Sequence, residues 1–127
     1  NDDRRFKRNR VRHEVLPLLD DVAGRDVVPL LCRLADLATA DAALLDALAG
    51  EAVPDPTDAR AVAAAPDPLA RRALRAWLRT ATDDEAHPPD LASVERVLRV
   101  ARGLAGAAEI AGGRRVARTS GRLRIQQ

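Results

Sequence analysis

Positively charged side chains are the residues of this sequence best suited to chemistry, and they are densest near its amino-terminal end. Residues 4–12 carry six of them in nine positions: Arg4, Arg5, Lys7, Arg8, Arg10 and Arg12. Like charges at this density repel one another unless an anion neutralises them. Phosphate is the simplest such anion, so the cluster predicts a phosphate-bearing partner such as a nucleic acid.

A second row of basic residues is expected on one face of a helix. Arg71, Arg75 and Arg79 stand four residues apart, a spacing that places them on the same side of the helix. Such a row is compatible with phosphate binding and equally with an ordinary solvated helix surface.

A third basic group lies close to the end of the sequence. Arg122 and Arg124 alternate with apolar residues, which is the period of a strand with one polar face. No acidic residue follows Glu109. All but one of the 21 basic residues are arginine, whose planar guanidinium binds phosphate through two parallel hydrogen bonds.

Motifs that would build a catalytic site are absent from the sequence. It contains no G-x-x-x-x-G-K-[ST], G-x-G-x-x-G, H-E-x-x-H or G-x-S-x-G. A single cysteine, Cys32, excludes an internal disulfide and a cysteine-based zinc site, and it fits a reducing, cytoplasmic setting. We therefore expect no catalytic residue and no metal site in this stretch, and no run of residues is apolar enough to span a membrane.

Aromatic residues are scarce, which limits the way in which a nucleic acid would be bound. Phe6 and Trp77 are the only two, and Trp77 falls in the apolar register of a helix, where we expect it to be core. Stacking platforms for single-stranded bases need several exposed rings. The sequence therefore predicts binding through the backbone and shape of structured RNA or duplex.

The elements that must position these residues are mainly helical. Apolar periodicity predicts a helical segment over residues 11–22 interrupted by Pro17, and a long helix over 26–49 ended by Gly50. Its expected inward stripe is Val27, Leu30, Leu31, Leu34, Leu37, Leu44, Leu45 and Leu48. A short alanine-rich turn is expected at residues 59–65.

Two further helices have clear start signals. Asp67-Pro68 predicts a helix running to about residue 81, and Asp90 caps the next one. The expected buried face of the latter is Leu91, Val94, Val97, Leu98, Ala101 and Leu104.

The period changes after Gly106. Turn dipeptides at Gly112-Gly113 and Ser120-Gly121 separate stretches that alternate basic and apolar residues. They predict a small β meander with one face on the core and one face lined by arginine. The fold class is therefore mainly α, a helical bundle with a small C-terminal antiparallel β hairpin or meander.

The opening nineteen residues carry a recognisable signature. Asn1, Phe6, the run Arg8–His13 and the run Leu16–Leu19 follow an order of Asn, aromatic, Arg-Asn-x-[Ile/Val]-Arg and Leu-Pro-x-Leu. This segment resembles the stretch that closes the catalytic domain of tRNA(Ile)-lysidine synthetases. Two looser similarities extend the resemblance over the chain: residues 74–79 resemble an arginine-rich helix of the family's substrate-binding domain, and residues 110–125 its closing Gly-Gly hairpin.

The resemblance implies a specific activity and organisation. Members of the family are N-type ATP pyrophosphatases that adenylate the wobble cytidine of a tRNA(Ile) with a CAU anticodon and then join free lysine to it. Residues 1–24 would be the connector closing the catalytic domain, and 25–127 the helical tRNA-binding domain. ATP and Mg would be cofactors of the full-length enzyme only. The Ser-Gly-Gly-x-Asp-Ser loop that binds ATP is absent from this sequence, so the fragment alone is expected to be inactive.

Residue roles follow from the resemblance and from the basic groups together. Arg8, Asn9 and Arg12 occupy signature positions near the cleft between the domains, where they would help to position tRNA, although Asn9 would serve equally well to satisfy backbone groups at the junction. The expected tRNA-binding residues are Arg8, Asn9, Arg12, Arg71, Arg75, Arg79, Arg122 and Arg124.

Two alternatives remain open at the level of sequence. The chain would also suit a free-standing basic helical module that binds DNA or RNA, or a helical protein-interaction domain that buries the Val11, Val15 and Leu18 face against a partner. The tRNA-binding hypothesis also predicts a salt dependence. If six phosphates are neutralised, a plot of the logarithm of the binding constant against the logarithm of the salt concentration should have a slope of roughly −4 to −5.

Overall fold

The computed structural model describes residues 7–82 and 89–126. The expectations for Asn1 to Phe6, Arg4 and Arg5 of the basic cluster included, lie outside the described residues. The chain divides into two compact units, residues 1–42 and 43–127, which are described separately. Whether the functional domains divide between residues 24 and 25, as the resemblance implies, stays a prediction.

The first unit begins with a helical path that widens for one turn. Helix α1 (Lys7–Arg10) leads into a π-helical turn (Val11–Val15) and then into helix α2 (Leu16–Ala23). Pro17 explains the wide turn, because proline has no N–H to donate and its ring collides with the carbonyl four residues back. The backbone N–H of Leu16 donates instead to the carbonyl of Val11, five residues back. Gly24 closes α2 in the left-handed conformation, at φ 63°, which glycine adopts without steric cost.

Helix α3 (Val28–Ala52) runs from the first unit into the second. Its first turn is held by carboxylates, since Asp26 accepts from the N–H of Val28 at 3.0 Å and Asp20 from the N–H of Val27 at 2.8 Å. The expected end at Gly50 is wrong: the helix continues through Gly50 to Ala52. Pro54 is the effective terminator, because the residue before a proline disfavours the helical conformation.

The apolar stripe of α3 is mostly not covered by the described residues, contrary to expectation. Val27, just before the helix, is buried and Leu45 is half-buried, but the remaining leucines are exposed. The exposed members are Leu30, Leu31, Leu34, Leu37, Leu44 and Leu48. Val11, Val15 and Leu18 of the preceding helical path are likewise exposed, at 48%, 44% and 61%. Helical periodicity fixes the face on which these side chains lie but not whether anything packs against it.

Three more helices form the second unit. The alanine-rich turn is a short helix, α4 (Ala59–Ala64), which Asp58 caps by accepting from the N–H groups of Arg60 and Ala61. Helix α5 spans Asp67–Thr82 and helix α6 spans Leu91–Ala101. The side chain of Asp90 caps α6 by accepting from the N–H of Ser93 at 2.7 Å, as its position in the sequence predicts.

A three-stranded antiparallel meander completes the unit, in the order β1 (Ala107–Ile110), β2 (Arg114–Thr119), β3 (Arg122–Gln126). The predicted turns lie between the strands, with Gly112, Gly113 and Gly121 all at positive φ. The loop before α4 covers part of the β3 edge, since the N–H of Leu123 donates to the carbonyl of Thr57 at 2.7 Å. The mainly helical fold class with a small C-terminal sheet is confirmed.

One core joins α4, α5, α6 and the inner face of the sheet. Its largest fully buried side chains include Leu74 and Leu78 of α5, Leu98 of α6 and Leu123 of β3. Trp77 is partly buried and packs against this core. Leu91 and Leu104, predicted to face inward, are exposed at 68% and 66%, because each stands at or beyond an end of α6, where the helical period no longer sets direction.

Candidate functional site

The arginine row of α5 is the best-defined basic feature of the second unit. Leu74 and Leu78 anchor one side of the helix in the core, and this fixes Arg71, Arg75 and Arg79 on the other side. Four residues of α-helix rise about 6 Å, so neighbouring members of the row are about one turn apart. Arg75 and Arg79 are exposed, and Arg71 is half-buried.

Carboxylates neutralise the beginning of this row. Arg71 donates to Glu95 of α6 through Nε and to Oδ2 of Asp67 through Nη2, at 3.2 Å for the latter. The adjoining Arg72 donates to Oδ1 of Asp46 at 2.6 Å. Arg102 also donates to Asp67, and it is the main reason why the pKa of the Asp67 carboxyl lies below its ordinary value. Arg71 and Arg72 are therefore engaged within the fold.

The second half of the row carries charge that no described residue neutralises. Arg75 and Arg79 make no hydrogen bond or ion pair with any residue in the described ranges 7–82 and 89–126. An anion that approaches them therefore displaces no carboxylate of residues 7–82 and 89–126. These two guanidinium groups are the strongest candidates in α5 for binding phosphate.

A groove of about 840 Å³ runs beside these arginines within the second unit. Its arginine side comes from α5, and its apolar floor comes from the end of α3, the loop that follows it, α5 itself and the beginning of α6. The floor residues are Leu45, Ala49, Gly50, Val53, Pro54, Pro56, Pro68, Ala73, Ala76, Leu91 and Val94. The sequence marked the arginines but not the floor, because the floor joins segments far apart in the chain. Gly50 within a helix was the one local signal for it.

The arginines of β3 have different environments from each other. Arg122 donates through Nη1 to the carboxylate of Asp55 and to Oγ1 of Thr57, at 3.1 Å for the latter. Arg124 lies two residues along on the same outer face, is exposed, and has no partner among residues 7–82 and 89–126. Only Arg124 of the pair is therefore available to an anion without rearrangement.

The loop that holds Arg122 also forms part of the groove. Pro54 and Pro56 line the groove, while Asp55 between them accepts from Arg122 and from Thr57. Hydrogen bonds from the hydroxyl and N–H of Thr57, at 2.6 and 2.9 Å, together with Arg122, hold the pKa of the Asp55 carboxyl below its ordinary value. The Asp55–Thr57–Arg122 cluster thus ties the groove wall to β3.

The remaining predicted site residues lie in the first unit. Arg8 and Asn9 belong to α1, and Arg12 to the π-helical turn. Arg8 and Arg12 are exposed and Asn9 is half-buried. The neighbouring Arg10 pairs with Glu14 at 3.1 Å. The structure therefore brings Arg71, Arg75 and Arg79 to one groove and puts Arg122 and Arg124 on a nearby strand, while the first-unit residues form a separate basic turn.

The described residues contain no group of three or more His, Cys, Asp or Glu side chains placed to hold a metal ion. No helix among these residues is both long and apolar enough to cross a membrane.

Comparison with known proteins identifies relatives by sequence. The chain is 38% identical over 131 aligned positions to the tRNA(Ile)-lysidine synthase of Nocardia farcinica, an alignment that covers 96% of the chain and 41% of that protein. It is 36% identical over 117 residues to the enzyme of the same name from Mycobacterium tuberculosis, covering 85% of the chain and 36% of that protein. The corresponding protein of Mycolicibacterium paratuberculosis is 45% identical over 83 residues, covering 61% of the chain and 26% of its length.

Each of these alignments covers only a part of the relative's length. The chain spans less than half of the length of each of these three relatives. No protein-family model matches the chain, and no solved structure matches it.

Proposed function

Since this chain is homologous to a part of the tRNA(Ile)-lysidine synthases, we propose that it is the tRNA-binding portion of a ligase of that kind. The full enzyme would use ATP and Mg to adenylate the wobble cytidine of tRNA(Ile) with a CAU anticodon, and would then attach free lysine. This fragment would supply none of the catalytic groups. It would act in the cytoplasm, by holding the tRNA so that the anticodon loop enters an active site elsewhere in the protein.

Arg75 and Arg79 carry this proposal. They are two exposed cations one helical turn apart, without a partner among residues 7–82 and 89–126. Neutralising phosphates with such groups releases counterions, which supplies affinity that does not depend on base sequence. Arg124 would contribute in the same way from β3.

The carboxylate-paired arginines are assigned a different part. Arg71 and Arg122 are held by Glu95, Asp67 and Asp55. We propose that they keep the phosphate-binding surface in shape and contact the tRNA backbone only through donor groups that their carboxylates leave unused. Arg8, Asn9 and Arg12 would contact the same tRNA near the active-site cleft.

The experiment measures binding of a tRNA(Ile) transcript to the chain by fluorescence anisotropy at several salt concentrations. We expect the double variant Arg75→Ala/Arg79→Ala to bind more weakly and to reduce the salt slope by roughly 1.4 to 1.8, because two phosphate contacts are lost. Arg99→Ala is the matched control. Arg99 is also exposed and unpaired in the described ranges, but it lies outside the groove.

The outcomes separate this proposal from the alternatives. An affinity for tRNA that does not change with salt, or a double variant that behaves like the Arg99 control, would contradict it. Failure of any nucleic acid to bind would favour the protein-interaction domain. The free-standing module is tested by reading the coding sequence upstream of Asn1, because a Ser-Gly-Gly-x-Asp-Ser motif there supports the ligase and a start codon close by supports the module.

A further inference from the structure

The groove beside Arg75 and Arg79 has an apolar floor that phosphate binding alone does not require. Ions and sugar–phosphate backbones gain nothing from Leu45, Pro54 or Leu91 beneath them. A volume of about 840 Å³ is within the usual range for sites that enclose a small organic group. The groove therefore suits a ligand with an anionic part and a flat apolar part.

Gly50 supplies an independent observation at this floor. Glycine inside a helix is unfavourable relative to alanine, and it usually has a conformational or packing reason. Neither reason holds here: the φ of Gly50 is not positive, and a Cβ built on it meets nothing within 4 Å. The absence of a side chain leaves open space in the lining of the groove.

We propose that this groove binds an unpaired nucleotide of the RNA substrate, with the base on the floor at Gly50 and the adjoining phosphates on Arg75 and Arg79. The inference rests on the proposed tRNA-binding function and specifies which part of the RNA is held. A folded RNA exposes unpaired nucleotides in its loops and at its ends, and proteins read such nucleotides by accepting the base into a pocket.

Charge and shape together favour this occupant over two others. Base-paired RNA keeps its bases stacked inside the helix and offers the groove only phosphates, sugars and base edges, which would leave the floor uncovered. An acidic amphipathic helix would satisfy the arginines but needs separate pockets for anchoring side chains at intervals of three to four residues. The accessible floor near Gly50 instead includes the proline rings of Pro54 and Pro56, which form a surface suited to a planar base.

The test fills the groove without changing its charge. Gly50→Leu places a side chain in the open space, and we expect the variant to be at least as thermally stable as the parent, because leucine is a better helix former and nothing lies in its way. The matched control is Gly106→Leu. Gly106 also has non-positive φ and nothing within 4 Å of its added Cβ, but it lies outside the groove.

Two fluorescein-labelled probes are titrated by anisotropy: an eight-nucleotide oligoadenylate and a blunt twelve-base-pair RNA duplex. We expect Gly50→Leu to weaken binding of the oligoadenylate about tenfold, which corresponds to a loss of roughly 1.4 kcal/mol of contact between one base and the floor. Its affinity for the duplex should match that of the Gly106→Leu control.

The result that would overturn the inference is an equal affinity of Gly50→Leu and Gly106→Leu for the oligoadenylate, or an equal loss by Gly50→Leu for both probes. The groove would be assigned to a protein instead if a Glu/Leu amphipathic peptide displaced the oligoadenylate and bound more tightly than RNA, and if the peptide did so only with Gly50 intact.

If Arg75→Ala/Arg79→Ala leaves tRNA binding unchanged, the proposed function itself fails. If the double variant weakens tRNA binding while Gly50→Leu leaves oligoadenylate binding intact, only the present inference fails.

Discussion

Single arginines of similar appearance in the sequence have different roles in the structure. Arg122 and Arg124 both stand on the outer face of β3, yet Arg122 is held by Asp55 and Thr57 while Arg124 has no partner in the described ranges. The same division runs along α5 between Arg71, which two carboxylates engage, and Arg79. Among the described residues, an anion has to compete with a carboxylate at one member of each pair and not at the other. Availability of charge, rather than its mere presence, therefore selects the candidate ligands.

The Asp55 carboxylate should make the stability of the second unit depend on pH. Thr57 and Arg122 lower the pKa of Asp55 from its ordinary 3.8, so the ionised form is favoured in the folded state. Its contribution is fully present above the ordinary value and is lost as pH falls through the lower folded value. We expect Asp55→Asn to melt at a lower temperature than the parent at pH 7, with the difference shrinking toward pH 3, measured by circular dichroism.

Two outcomes would count against this assignment. One is a melting difference that stays constant between pH 7 and pH 3, and the other is no difference at pH 7. Asp36→Asn is a suitable control, since Asp36 is an exposed carboxylate of α3 without a partner among the described residues.

At the scale of elements, local signals set where most helices begin, and neighbouring residues set where they end. Asp58 and Asp90 each accept from backbone N–H groups of the first turn that follows, as carboxylates at the N-cap do. Gly50 did not end α3, because a glycine ends a helix when it takes the left-handed conformation, and Gly50 does not. Pro17 did not break its helix either, since the preceding turn widened to accommodate it.

The cap of α4 offers a test at this scale. Asp58 accepts from the N–H of Arg60 at 2.9 Å and from that of Ala61 at 3.4 Å. Asp58→Ala should reduce the free energy of unfolding by roughly 1 kcal/mol, the usual cost of a lost N-cap, measured by urea denaturation. Asp41→Ala removes an exposed carboxylate from the interior of α3 and should leave stability unchanged or slightly raised. Equal effects of the two substitutions would show that Asp58 does not act as a cap.

At the scale of the whole molecule, the two units differ in how well they bury apolar side chains. The second unit has a contiguous core in which Leu74, Leu98 and Leu123 are almost fully buried. Among residues 7–42, Val27 is the buried hydrophobic residue, while leucines and valines of α2 and α3 are exposed. Burial of apolar surface is the main stabilising contribution to folding. Among the described residues, the second unit therefore contributes most of the free energy of unfolding.

Truncation of a core leucine should therefore affect the second unit strongly. Leu98→Ala removes a side chain that is 1% exposed and should cost about 2 to 5 kcal/mol in the free energy of unfolding. Leu104→Ala truncates a leucine that is 66% exposed and should change it by no more than about 0.5 kcal/mol. Both are measured by urea denaturation followed by circular dichroism. A loss at Leu104 as large as that at Leu98 would mean that Leu104 is covered in solution.

The sequence by itself determined the types of the main elements, the meander with its turns, the cap at Asp90 and the resemblance to the lysidine synthases. These depend on periodicity, turn residues and short motifs, all of which act over a few neighbouring positions. Tertiary structure alone decided which arginines are neutralised and where the groove lies. Both depend on residues distant in the chain, such as Asp46 beside Arg72, Glu95 beside Arg71, and Asp55 beside Arg122. A local pattern can place a charge on a face, but only packing decides which opposite charge reaches it.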